Sequence, residues 1–403
     1  MGAGAALVGG ASLALWRLWP EQGVWNPCRA TLPRGLADHE LVQQAWEGLE
    51  PKNVWDAHAH LIGTGDSGSG IFVNPQMDSL LHPAQYARRL VFLNAGCARD
   101  ASGSVDRAYI ERMQNLLDGL RPGSKLLLYA FDRAHDERGA PDPGHTDFHV
   151  PDAYARDTAK KYPSYFEWVA SIHPYRSDAL EALERAKRDG ARAVKWLPSA
   201  MGIDPASPSC DFFYEALLKH KLPLISHAGL ARAVLGREAH DYGNPLRLRR
   251  ALDAGVRVVV AHCASMGRDR DLERGGALVE SFALFERLMQ EHRYEKNLHG
   301  DISAMTQVNR AGPALVKVIE RSDWHARLLN GSDYPLPGVM PLFSVDYLVS
   351  LKLVEEKAAP ILREIRRYNP LLFDFVLKRH LRSNGKALAA SVFETRSFLE
   401  GGV

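Results

Sequence analysis

Asn53-Val54-Trp55-Asp56-Ala57-His58-Ala59-His60 is the stretch on which the fold turns. Its composition reads as a β-strand, and a strand's period of two points the His58 and His60 side chains to one face. With 16 histidines in 403 residues, on the order of half a His-x-His pair arises by chance, so the pair takes its meaning from the rest of the chain.

Downstream of it the chain repeats an alternation. After Pro51, short apolar runs rich in Val, Ile and Leu are separated by longer segments of helical periodicity, the pattern of βα repetition and a parallel sheet. The runs are Asn53 to His60, Leu90 to Asn94, Lys125 to Asp132, Trp168 to His173, Ala193 to Leu197, Leu222 to His227, Arg257 to His262, Leu298 to Ser303 and Arg327 to Asp333. A closed barrel needs eight, so one early run, near 90 or near 125, is an extra strand or a misread segment. The length exceeds the about 250 residues of a barrel of eight βα units. The expected fold is therefore α/β, a (β/α)8 TIM barrel with long mouth loops and additional peripheral helices.

Residues 1–20 form an apolar N-terminal segment, 21–52 an extension, 53–382 the barrel and 383–403 a C-terminal tail. Asp178 with Glu181 suggests a capped helix start with Leu180, Leu183 and Ala186 on one face and Gly190 at its end. Two further helical stripes, around Ile361 to Ile365 and Leu371 to Leu381, are split by Asn369-Pro370 and are expected outside the barrel. The connections 61–82, 133–152, 198–212 and 229–246 are rich in Gly, Pro, Asp and Ser and each comes directly after a strand, which makes them mouth loops. Gly63-Thr64-Gly65-Asp66-Ser67-Gly68 fits a GxGxxG string, but no amphipathic helix opens after it, so a dinucleotide site is rejected and a flexible lid is expected instead.

Four more residues lie in or at the end of apolar runs: Lys195, His227, His262 and Asp333. Parallel strands bring such ends to one mouth, where residues far apart in sequence meet. Imidazoles and a carboxylate suit a divalent, zinc-like ion with a position left for water. Singly, each has a plainer reading: a core imidazole for His227 or His262, a cap or turn for Asp333, a buried salt bridge for Lys195. His173, Tyr175, Arg176 and Asp301 are further candidates for substrate contact or for orienting a ligand, and Arg176 or Arg268 for pairing with a substrate carboxylate.

In this order the residues resemble the amidohydrolase superfamily, particularly its amidohydrolase-related branch, over roughly residues 53 to 382. The resemblance implies His-x-His on the first strand (His58, His60), Lys195 on the fourth, His227 on the fifth, His262 on the sixth and Asp333 on the eighth. It implies a binuclear site if Lys195 is carboxylated and bridges two ions, with His227 and His262 on the second, and a mononuclear site otherwise, with His262 free to polarise substrate. Two ions are favoured, because a bare ammonium between apolar neighbours is poorly solvated. Asp333 is expected to orient or deprotonate the metal-activated water. The function expected is hydrolysis of a C–O or C–N bond (lactone, ester or amide) with Asp333, His262 and Lys195 catalytic. The alternatives are a mononuclear decarboxylase or hydratase, or a barrel that binds a small ligand or metal without turnover.

A net charge of +2 supplies no field for nucleic acid, so a small-molecule substrate is expected. Cys28, Cys97, Cys210 and Cys263 form no CxxC pair, and the redox compartment stays open. Ala3 to Trp16 is apolar but shorter than the ~20 residues of a spanning helix; it resembles a signal h-region without a basic start. Export or anchoring, with membrane association through the N-terminus, is favoured over a cytoplasmic location. Oligomeric state is not encoded in any motif.

Overall fold

A computed structural model of the chain describes residues 22–231 and 240–401. The Ala3–Trp16 segment lies outside the described residues, as does 232–239 of the fourth mouth loop. Among the described residues no helix is long and apolar enough to cross a membrane.

Eight parallel strands form the core: β1 Trp55–His60, β2 Lys125–Tyr129, β3 Phe166–Val169, β4 Val194–Trp196, β5 Leu224–His227, β6 Val258–Ala261, β7 Leu298–Asp301 and β8 Leu328–Leu329. Regular ladders join β1 to β2 to β3, and β4 through β8 in order. The two groups meet on both sides. Between β3 and β4, Ala170 bridges Val194, with Lys195 N donating to Ala170 O at 2.7 Å. Between β8 and β1, Ala59 bridges Tyr334, with His60 N on Tyr334 O at 2.8 Å. The hydrogen-bonded ring is a (β/α)8 barrel, as expected.

Helices alternate with the strands, among them Val105–Leu117, Asp152–Lys161, Ala179–Arg188, Asp211–His220, Ser281–Gln290 and Pro313–Glu320. Their buried faces cover the outward side chains of the strands, which are also apolar, so the strands read as near-continuous apolar runs. The inward residues Trp55, Leu127, Tyr129, Val169, Ile225, Val259 and Leu329 fill the barrel. Leu399, from the helix Arg396–Leu399, joins them, and Phe398 packs on His299 with ring centroids 4.6 Å apart, so this helix closes the end opposite the mouth.

The run near 125 is a true strand, and the run near 90 is the misread one. Leu90 to Asn94 belongs to the helix Pro83–Ala95. Its consecutive apolar residues arise because the helix covers the barrel mouth: Val91, Phe92 and Leu93 all line the cavity there, so more than one face is apolar. The helix Ala179–Arg188 starts and stops where expected, but Ala179, Ala182, Leu183 and Ala186 form its buried face and Leu180 is exposed. Asp178 makes no capping bond and is held instead by Arg176 and Arg185.

The extension is stapled to the barrel by a Cys28–Cys97 disulfide with Cα atoms 5.5 Å apart, while Cys210 and Cys263 are free and buried. Trp46 packs on Phe375 of the outer helix Pro370–Arg379, and Arg379 Nε donates to Ala45 O at 2.7 Å. Asn369 caps that helix through Leu372 N at 2.9 Å, which explains the break at Asn369-Pro370.

Candidate metal centre

A bulge in β1 builds the first part of the site. Asp56 faces Leu126 and Ala59 faces Leu128, so Ala57 and His58 together oppose Leu127. Strict alternation from the inward Trp55 and Ala57 would turn His58 outward; the extra residue brings His58 and His60 back inside. Asp56 holds the bulge, its Oδ1 accepting from His58 N at 3.0 Å and Ser332 N at 2.8 Å. Across the seam Asp333 sits at φ 59°, its N–H donating to His58 O at 2.8 Å. Gly331 precedes it because a Cβ there would lie 2.5 Å from His58 Cβ.

These contacts bring three donors together. His58 Nε2 and His60 Nε2 are 3.2 Å apart, and Asp333 Oδ1 lies 3.5 Å and 3.1 Å from them. Each offers a ligand atom within 4.8 Å of the others. His262 joins from β6, its Nε2 3.8 Å from Asp333 Oδ2 and its Nδ1 3.0 Å from Ser303 O. It stands on a left-handed stretch, His262, Cys263 and Ala264 all at φ near +50° (55°, 48° and 50°), a conformation costing about 1–2 kcal/mol per residue. Such strain persists where surrounding bonds over-determine it. His227 is also buried, its ring centroid 5.4 Å from that of His262, and both line one cavity.

Asp301, at the end of β7, ties these parts together. Its Oδ2 lies 2.8 Å from His58 Nδ1, and its Oδ1 accepts from His262 N at 3.1 Å and Ser303 N at 2.9 Å. With Nδ1 engaged, the His58 ring turns Nε2 toward the donor cluster, the arrangement by which carboxylates orient metal-binding imidazoles. Ser303 Oγ bridges the Nδ1 atoms of His58 (3.1 Å) and His262 (2.8 Å). Sequence reasoning places Asp301 among several candidates and misses Ser303; the two-residue spacing of Asp301 and Ser303 at a strand end is the only local signal for the pair.

The protonation states suit a divalent ion. Burial lowers His58 to about 4 and His262 to about 3, and takes His227 well below its ordinary value, so all three imidazoles are neutral at pH 7. Burial works to raise Asp333, but His262 and His58 beside it and a hydrogen bond from His60 hold it well below the usual carboxylate range. Neutral nitrogen donors with an ionised carboxylate are the forms in which these groups bind metal.

Lys195 is fully buried among these groups, Nζ 3.4 Å from His58 Nε2 and 5.2 Å from the Tyr129 ring centroid. Burial lowers it to about 8, against the pull of Asp301 and Asp333. That leaves a minor neutral fraction near physiological pH, the form that takes up carbon dioxide, and a buried ammonium against a bound dication is electrostatically unfavourable.

The site opens into a cavity of about 450 Å³ with mostly apolar walls. Two mouth loops roof it, pairing Phe72–Val73 with Phe148–His149. The glycine-rich loop expected as a lid is pinned: Asp106, fully buried, accepts from Thr64 N (2.7 Å), Ser67 Oγ (2.8 Å) and Ser69 Oγ (2.7 Å). Gly65, at φ 81°, is required there because a Cβ would meet Ile71 O at 2.5 Å.

His173, Tyr175, Arg176 and Arg268 do not line this cavity. His173 bonds Met201 O, and Arg176 pairs with Asp132 and Asp178. Arg268 lies on a surface hairpin of Arg268–Arg270 and Leu278–Glu280. Gln307 and Arg310, which had no sequence signal, do line it.

A family model described as amidohydrolase matches residues 55–370. No curated protein matches the chain. Among solved structures, an uncharacterized TIM-barrel protein from Bordetella bronchiseptica is similar at 15% identity and TM-score 0.44, over 74% of this chain and 90% of its own. A manganese-bound 5-carboxyvanillate decarboxylase from Novosphingobium aromaticivorans is similar at 12% identity and TM-score 0.43, over 81% and 98%. A 4-oxalomesaconate hydratase from Rhodopseudomonas palustris is similar at 15% identity and TM-score 0.41, over 81% and 98%.

Proposed function

The chain belongs to the amidohydrolase family, and from that premise we propose that it is a metal-dependent hydrolase cleaving a C–O or C–N bond of a small molecule, such as a lactone, ester or amide. The observation that carries this reading is the meeting of His58, His60 and Asp333 beside a fully buried Lys195. A divalent ion held there supplies Lewis acidity, making water acidic and polarising the bond under attack.

The chain's own residues supply the rest. Asp333, ionised and acceptor-only, takes the proton of the attacking water. Asp333 then returns that proton to the leaving group, while His262, fixed at Nδ1 by Ser303, keeps Nε2 turned toward Asp333 as a donor. If carboxylated, Lys195 would hold a second ion together with His227 and His262.

A second reading, a mononuclear decarboxylase or hydratase, is favoured by one observation. Of the two donor clusters among the described residues, His58, His60 and Asp333 include a partly exposed member while His58, His262 and Asp301 are all buried, and neither takes in Lys195, whose Nζ lies over the Tyr129 ring as an ammonium does. Zinc and manganese both fit this donor set.

Metal content per chain separates the two, measured by elemental mass spectrometry after expression with zinc or manganese and bicarbonate. Two equivalents in wild type falling to one in Lys195→Ala, with lactone or ester turnover lost in Asp333→Asn, is the expected result. One equivalent in both proteins, with carbon dioxide release from aromatic carboxylates and no hydrolysis, overturns it.

The proposal extends to location. A disulfide between Cys28 and Cys97 favours an oxidising compartment, reached through the apolar N-terminal segment as signal or anchor.

A further inference from the structure

The loop after β7 presents two polar side chains to the cavity whose hydrogen-bonding capacity is not met among the described residues. Gln307 is 3% exposed and its Nε2 has no partner there; Arg310 is 9% exposed and its Nε has none. Arg310 makes one side-chain bond, Nη1 to Ser265 Oγ at 3.3 Å, and no carboxylate pairs with it among the described residues. Arg88 and Arg89, the other arginines of the cavity, also each have one buried nitrogen without a hydrogen-bond partner, but both have a carboxylate beside them, Asp78 at 2.7 Å from Arg89 and Asp147 at 3.8 Å from Arg88, which Arg310 lacks among the described residues. Arg310 feels Asp333 and Asp301 only at longer range, and burial lowers it to about 10, the mark of a guanidinium whose lost hydration is not replaced.

A buried charge and a buried amide with free donors, both lining the cavity that holds the metal donors, call for an acceptor-only anionic group. One guanidinium and one amide offer a single positive charge and a planar fork, which matches one carboxylate rather than a phosphate dianion. Apart from Arg88, Arg89, Asp147 and Asn309, the cavity away from the metal donors is mostly apolar, with Val73, Met77, Phe92, Phe148, Leu336 and Leu342 in its wall, and its about 450 Å³ lies in the usual range for a small-molecule site. We infer that the substrate is an amphiphile, an apolar body bearing one carboxylate that does not react, with Arg310 and Gln307 gripping that carboxylate and the cavity wall covering the body. This deepens the hydrolase reading and rests on it only for placing the reacting bond at the metal donors.

The test is isothermal titration calorimetry of the metal-loaded full chain with three probes: 4-phenylbutyrate, its neutral amide and 3-phenylpropylphosphonate. Wild type is expected to bind the carboxylate at least tenfold tighter than the amide. Arg310→Met should erase that preference with metal content unchanged, and Gln307→Leu and Arg310→Lys should each reduce it at least threefold. Wild-type preference in Arg310→Met or in Arg310→Lys overturns the assignment. So does carboxylate binding that survives Arg310→Met but vanishes when metal is removed, or tighter binding of the phosphonate. Binding is read without turnover, so arginine-dependent carboxylate binding in a protein that hydrolyses no ester keeps this inference and overturns hydrolysis.

Discussion

The Asp301 carboxylate grips the His58 ring at Nδ1 and the strained turn of His262 at its backbone N–H, so one side chain sets two donors at once. Asp301→Asn keeps the shape but puts an amide where an ionised acceptor stood, freeing His58 to adopt the wrong tautomer. The expected outcome is metal affinity weakened by about 10- to 100-fold, measured by competition with a chelator. Unchanged affinity would remove Asp301 from any orienting role. At this scale the chain is unevenly legible. His58 and His60 can be read because strand periodicity acts between near neighbours, whereas Arg310 carries no local signal, since only the ring of strands places it within reach of the fields of Asp333 and Asp301.

Single elements depend on what lies against them. The helix Pro83–Ala95 looks like a strand in its apolar core because it is packed on more than one side, and the glycine-rich loop looks like a lid until Asp106 is found at its centre. The extension is attached by its disulfide at the end of that same helix, closing a loop of sequence separation 69. Chain-entropy reasoning gives such a cross-link about 4 kcal/mol at most. Urea denaturation of Cys28→Ser, or of wild type with a thiol reductant, is expected to show a loss of about 2–4 kcal/mol. A loss below about 1 kcal/mol would show that the Trp46–Phe375 and Arg379–Ala45 contacts hold the extension alone.

Across the whole molecule, burial depresses several imidazoles together: His173 to about 3, His262 to about 3, His58 and His299 to about 4. Their folded values lie below the about 6.5 of an unfolded histidine. Each therefore contributes stability that is complete above pH 6.5 and is lost as pH falls toward the folded value. Each removes about 1.4 kcal/mol per pH unit in that window. Urea denaturation of chelator-treated protein at pH 7.5, 6 and 5 is expected to show stability falling steeply with acid. In His173→Gln, away from the metal donors, the slope should be shallower by one proton. An identical slope would mean that His173 is protonated in the fold.

Seven of the eight strands and the placing of His58, His60, Lys195, His227, His262 and Asp333 in or at the ends of strands were already legible in the sequence, because hydrophobic periodicity and residue type act locally and a parallel barrel has one mouth for all its strand ends, while the choice between the runs near 90 and near 125 was not. The tertiary structure alone decided the rest. The bulge that turns His58 inward exists because β1 must meet β2 and β8 at once. The Cys28–Cys97 pairing and the Asp301–Ser303 bracket act between residues distant in sequence. The unmatched donors of Gln307 and Arg310 are defined by what does not touch them, and that is a property of three-dimensional packing that no sequence spacing expresses.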